Sequence, residues 1–116
     1  MKKFALKFKK EEVEIENESG IVENYTVNEV DGDIQGEYLE EQRDLVIMER
    51  GEVVGMKTFK STYPRLLKYT LRDSKGELVK PDIIGKWPAS VQKGLFDIAQ
   101  ELNGLSADAQ EAAKNV

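Results

Sequence analysis

The spacing of apolar residues changes near position 30, and that change limits the folds open to the chain. Before it, Phe4, Leu6 and Phe8 alternate with Ala5, Lys7 and Lys9, and Val13 and Ile15 alternate with Glu12, Glu14 and Glu16. A two-residue period puts one set of side chains on each face of a strand, so two half-buried strands are predicted. Asn17-Glu18-Ser19-Gly20 supplies turn chemistry, after which Ile21, Tyr25 and Val27 resume the alternation. Residues 1–30 therefore read as a small antiparallel β-meander, with Lys and Glu on its wet face. A one-faced sheet of this size needs helices to cover its apolar side.

Beyond residue 30 the spacing becomes helical. Asp31-Gly32-Asp33 offers a cap, and Ile34, Tyr38, Leu45 and Met48 follow at near-helical intervals, predicting a helix over 33–48 that Gly51 stops. Residues 52–59 (EVVGMKTF) then read as an apolar connector whose Val53, Val54, Met56 and Phe59 seal the core. Ser61 or Thr62 can cap a second helix that tolerates Pro64 in its first turn, with Tyr63, Leu67, Thr70 and Leu71 facing inward. A turn over 73–76 and a proline-opened helical turn over 81–84, closed by Gly85, lead to the best-defined helix. That helix starts near Pro88, carries Val91, Leu95, Ile98, Ala99 and Leu102 on one face, and stops at Asn103-Gly104. The fold class expected is α+β: a small N-terminal antiparallel β-meander followed by a cluster of three to four helices. One domain over 1–105 is expected, with 31–105 as its helical part and 106–116 as an exposed short helix or flexible tail capped by Ser106.

Composition narrows the chemistry. The chain has neither cysteine nor histidine, which removes thiolates, disulfides and the usual neutral-pH base and transition-metal ligand. No catalytic residue, metal site or cofactor is expected. A net charge of -5 argues against a phosphate-binding footprint, so no nucleic-acid partner is expected either. Lys7 and Lys9 interrupt the apolar part of residues 1–10, against a secretion signal, and no window is apolar enough to span a bilayer. The expected setting is cytoplasmic, without membrane contact.

Several patterns invite a functional reading and yield to a plainer one. Glu11, Glu12, Glu14, Glu16 and Glu18 follow strand alternation, and 28–34 (NEVDGDI) lacks the register of a calcium loop. Gly32–Gly36 and Gly51–Gly55 resemble phosphate loops but lack the following Lys-Ser/Thr. Lys57, Lys60, Arg65, Lys68 and Arg72, interleaved with Tyr63 and Tyr69, could face a nucleic acid but are expected to pair with the acidic helix over 33–48. Trp87, beside Pro88, can act as a hydrophobic staple or as an interface anchor. Phe96 lies one residue off the main stripe of its helix, where it either widens the buried face or projects as a contact.

Three blocks carry a family resemblance. They are Tyr25-Thr26-Val27-Asn28-Glu29 ahead of the acidic helix, 54–59 (VGMKTF) with 66–73 (LLKYTLRD), and Trp87-Pro88-Ala89-Ser90-Val91-Gln92 followed by Leu95-Phe96 and Leu102-Asn103-Gly104-Leu105. Together the stretch 25–105 resembles the small tail assembly chaperones of long-tailed (siphovirus-type) bacteriophages. The resemblance implies a non-enzymatic protein in the cytoplasm of a bacterial host. Its partners would be the tape-measure protein and the major tail tube protein, and it would leave before the tail is complete. The family brings no catalytic residues, and Trp87, Phe96 and Leu105 are the contact candidates. A homo-oligomer is compatible with the net charge. Two other readings stand beside this one: a minor tail or head–tail connector protein retained in the virion, and a bacterial adaptor or regulatory domain.

Overall fold

In the computed structural model, which describes residues 1–105, the chain is an α+β structure with an N-terminal antiparallel sheet and four helices. Strand β1 (Lys10–Glu16) pairs antiparallel with β2 (Val22–Asn28), in register from Lys10 opposite Asn28 to Glu16 opposite Val22. The connecting turn is built by Asn17, whose Oδ1 accepts the N–H groups of Ser19 at 2.9 Å and Ile21 at 3.0 Å. Gly20 follows at a φ of 81°, where a side chain would be strained. Val13 and Tyr25 face each other across the pair, and with Ile15 and Val27 they make the inner face.

The chain then forms α1 (Gly32–Leu45), β3 (Val46–Glu49), β4 (Glu52–Met56), α2 (Thr62–Thr70), β5 (Leu71–Arg72), α3 (Pro81–Ile84) and α4 (Ala89–Leu102). The short β5 pairs antiparallel with β2, giving the sheet order β1-β2-β5, while β3 and β4 form a separate two-stranded sheet. Helices α2 and α4 pack on the inner face of the three-stranded sheet, and α3 packs on α2. Val27, Leu66, Leu67, Leu71, Ile84 and Ala99 are almost completely buried at that junction. Among the described residues no helix is long and apolar enough to cross a membrane.

Several expectations need correction. Residues 4–8 form no strand: Phe4, Leu6 and Phe8 are exposed, and β1 leaves their alternation without a neighbouring strand to pair with. The third strand of the sheet comes instead from β5, on the far side of β2. Helix α1 stops at Leu45 rather than 48, because the β-branched Val46 and Ile47 start a hairpin turned at Arg50 (φ 53°) and Gly51 (φ 80°). Gly51 is thus a hairpin residue, and 31–105 is not wholly helical. The connector 52–59 does not seal the core, since Val53, Val54 and Phe59 are exposed and only Met56 is half-buried. Leu67, Thr70 and Leu71 are buried as expected of the second helix and Tyr63 is half-buried, while Pro64 and Leu66 are buried as well. Ser61 sits at its start in a left-handed conformation without a side-chain capping bond. The expectation for 106–116 lies outside the described residues.

Helix α4 runs to Leu102 and ends at Asn103-Gly104, Gly104 taking a φ of 68°. Asn103 does more than stop it. Its Oδ1 accepts the Val30 N–H at 2.8 Å, its Nδ2 donates to the carbonyls of Ala99 (2.9 Å) and Asn28 (3.3 Å), and its own carbonyl accepts from Gln35 Nε2 (2.8 Å). The buried carboxamide therefore ties the end of α4 to the β2–α1 junction, and the backbone carbonyl of the same residue ties it to α1. Asn103→Ala is expected to cost about 2 kcal/mol by stranding the Val30 N–H, lowering the thermal midpoint by roughly 10 °C in a circular-dichroism melt. The exposed Asn24→Ala should shift it by less than about 3 °C.

Candidate functional site

The basic run is committed largely inside the molecule. Glu41 of α1 receives Lys68 Nζ at 3.1 Å and the Tyr69 hydroxyl, both from α2, and Lys68 Nζ also stands 4.9 Å from the Tyr69 ring centre. Arg65 Nε donates to Gln42 Oε1 at 3.1 Å, and its Nη1 donates to the Lys60 carbonyl at 2.6 Å. Arg72 Nη1 donates to the Gly76 carbonyl at 2.8 Å. Of the pairing expected between the basic run and the acidic helix, one ion pair is present, Lys68 with Glu41; Arg65 reaches α1 through the neutral Gln42, and the two bonds clasp α1 to α2 beside the buried Tyr38. The Lys68–Glu41 pair is about one-third exposed, so alone it contributes no more than about 1 kcal/mol.

Each contact candidate is half-buried, and each has a different neighbour. The Trp87 ring lies edge-on to Tyr25 with centroids 5.7 Å apart. Phe96 lies edge-on to Tyr63 at 5.2 Å. Leu105 packs on the core beyond α4, its N–H donating to the Gln100 carbonyl at 2.7 Å. The structure therefore gathers the three onto one core without assembling them into one aromatic cluster.

Of these, Trp87 borders a cleft. The β1–β2 turn stands over the start of α4 and leaves a cleft of about 450 Å³ between them. Ile15, Tyr25, Trp87, Pro88 and Val91 give it an apolar floor, while Glu16, Glu18, Glu23 and Lys86 lie on its lining. Gln92 Nε2 donates to the Trp87 carbonyl at 2.8 Å, which fixes the backbone beneath the ring. The Tyr25 hydroxyl donates to Glu23 Oε2 at 3.0 Å, and burial together with that carboxylate raises its pKa. Three carboxylates around aromatic rings suit an apolar side chain flanked by a cation. Among the described residues no group of three or more acidic side chains is placed to hold a metal ion.

A second surface was not foreseen. The β3–β4 hairpin leaves Ile47, Met48, Val53 and Val54 exposed, and Leu39 and Phe59 are exposed on the segments flanking it. The signal was available in the β-branched pairs Val46-Ile47 and Val53-Val54 on either side of Arg50-Gly51. No family model, curated protein or solved structure matches the chain.

The α1–α2 clasp carries a pH signature. Burial, then the hydrogen bond to Glu41, push the Tyr69 phenol up to about 12, above its ordinary 10.0. A pKa raised by folding means that the neutral phenol stabilises the fold below about pH 10, and that this contribution fades as pH rises towards 12. Urea midpoints are therefore expected to fall through that window, and to fall less steeply in Tyr69→Phe.

Proposed function

We propose that the chain is a non-enzymatic protein-binding module, a tail assembly chaperone that holds the tape-measure and tail tube proteins during tail assembly. The observation that carries the binding part is the Tyr25–Trp87 cleft, an apolar floor with carboxylates on its lining. It suits an apolar client residue with a lysine or arginine next to it. The resemblance of 25–105 to the tail chaperones supports the choice of client.

The physical logic is one of exchangeable contacts. A single aromatic cleft on a small acidic domain anchors a client side chain without burying a large interface, so a competing subunit can displace it. Carboxylates on the lining would mainly accelerate encounter with a basic segment and make it salt-dependent.

The test is a pull-down of the full chain co-expressed with the tail tube and tape-measure proteins encoded beside it, with mass spectrometry of the complex and of finished particles. Retention of either client, with absence from the particle, is the expected result. Trp87→Ala is expected to weaken retention by roughly tenfold or more. Glu18→Lys, on an exposed turn residue, should weaken it without altering the thermal melt. Failure to retain either tail protein would overturn the client assignment, and stoichiometric presence in particles would turn the case to a structural tail protein.

A further inference from the structure

Two parts of this chain have strand character and no sheet to complete. The first is the arm 1–9, in which Phe4 and Leu6 are 81% and 105% exposed and Phe8 is 62% exposed. The second is the β3–β4 hairpin, in which Met48 pairs with Val53 across the strands, the register shifts between Ile47 and Met48, and Ile47, Met48, Val53 and Val54 are all exposed. A lone two-stranded hairpin is marginal in water and gains most from a third strand.

We propose that residues 4–8 of one copy add as a strand to the β3–β4 hairpin of a second copy, so that the chain self-associates by exchanging its arms. Period and charge both match. In a strand, Phe4, Leu6 and Phe8 share one face, which can lie beside the exposed Met48–Val53 pair, and Lys3, Lys7 and Lys9 line the opposite face. Residues 1–10 contain five lysines and no acid, whereas 32–56, spanning α1 and the hairpin, contain seven carboxylates and two arginines. At the hairpin tip Glu49 and Glu52 stand directly opposite each other, a like-charge pair that destabilises a sheet unless a cation lies nearby. Arg50 at the turn supplies one cation, and the incoming lysines supply more.

Geometry selects a second copy over the arm's own hairpin. Lys9 is pinned to Glu29, whose N–H donates to the Lys9 carbonyl at 2.8 Å while Glu29 Oε1 accepts the Lys9 N–H at 2.9 Å. From there the 14 residues of α1 carry the chain about 21 Å before β3 begins. Residues 4–8 extended backwards from Lys9 cover only about 17 Å, less than the length of α1, which favours the hairpin of a second copy over the arm's own. Exchange between two copies has no such limit, and a reciprocal exchange closes a two-fold dimer.

The test is the mass of the full chain in solution, by sedimentation equilibrium across a concentration series, for wild type, Leu6→Asp and Val53→Asp. Both substituted positions are exposed, so each variant should keep the far-UV circular-dichroism spectrum of the wild type, and any loss in melting temperature should vanish at concentrations where the wild type is itself monomeric. Wild type is expected to self-associate, and each variant should raise the dissociation constant by roughly tenfold or more. Because the chain has no cysteine, Leu6→Cys and Val53→Cys chains can be mixed under oxidation, and a disulfide joining one of each is expected. A monomeric wild type, a mass insensitive to both variants, or a Leu6→Cys/Val53→Cys double variant that closes only within one chain would each overturn the proposal. None of these outcomes involves Trp87, so they leave the client reading to its own test.

Discussion

The fold depends on two asparagines that close its polar accounts at the point where sheet and helices meet. Asn103 joins the end of α4 to the β2–α1 junction, and Asn28 Nδ2 donates to the carbonyls of Thr26 and Thr70, both at 3.1 Å, joining the same end of β2 to the end of α2. Helix ends expose carbonyls that must be satisfied when buried, and a carboxamide can serve a donor and an acceptor at once. Among the described residues every buried side-chain nitrogen or oxygen has a partner. With those bonds made, Leu66, Leu67, Leu71 and Ile84 can be buried almost completely without an unpaired polar neighbour.

That closed interior contrasts with the exterior. Large apolar side chains at Phe4, Leu6, Val53, Val54 and Phe59 stay in water, on segments that make few contacts with the sheet–helix body. Leaving several such groups exposed forgoes about 1.5–3 kcal/mol each relative to full burial, so the surface holds binding free energy that the fold itself does not use. The Tyr25–Trp87 cleft differs in kind. Its Tyr25 and Trp87 pack on the core, and it lies between the Asn17 turn and the start of α4.

Much of the architecture was legible in the residues. Asn17-Glu18-Ser19-Gly20 marked a turn, Pro81 opened a helical turn, and the stripe from Val91 to Leu102 defined α4 with its Asn-Gly stop. The Lys68–Glu41 pair between the basic run and the acidic helix followed from charge, while Arg65 and Arg72 found neutral acceptors. The hairpin was not legible as read, because glycine at positive φ ends a helix and turns a hairpin equally well, and Gly51 satisfies both patterns. The arm 4–8 carried a true strand period but no indication of a partner strand. Of the contact candidates, Trp87 was visible as a lone tryptophan beside a proline, while Tyr25, which completes the cleft, was hidden as one more inward strand residue.

By itself, the sequence determined the local periods, the turns and the charge balance, because each depends on side chains within a few positions of one another. The tertiary structure alone decided which strand completes the sheet, where α1 yields to a hairpin, and which apolar residues remain in water. Those outcomes depend on pairings between distant segments: β5 with β2 across more than forty residues, and Asn103 with Val30 across seventy-three. A residue's own neighbours carry no record of such a partner, so burial at Leu66 and exposure at Val53 follow from the packing of the whole chain.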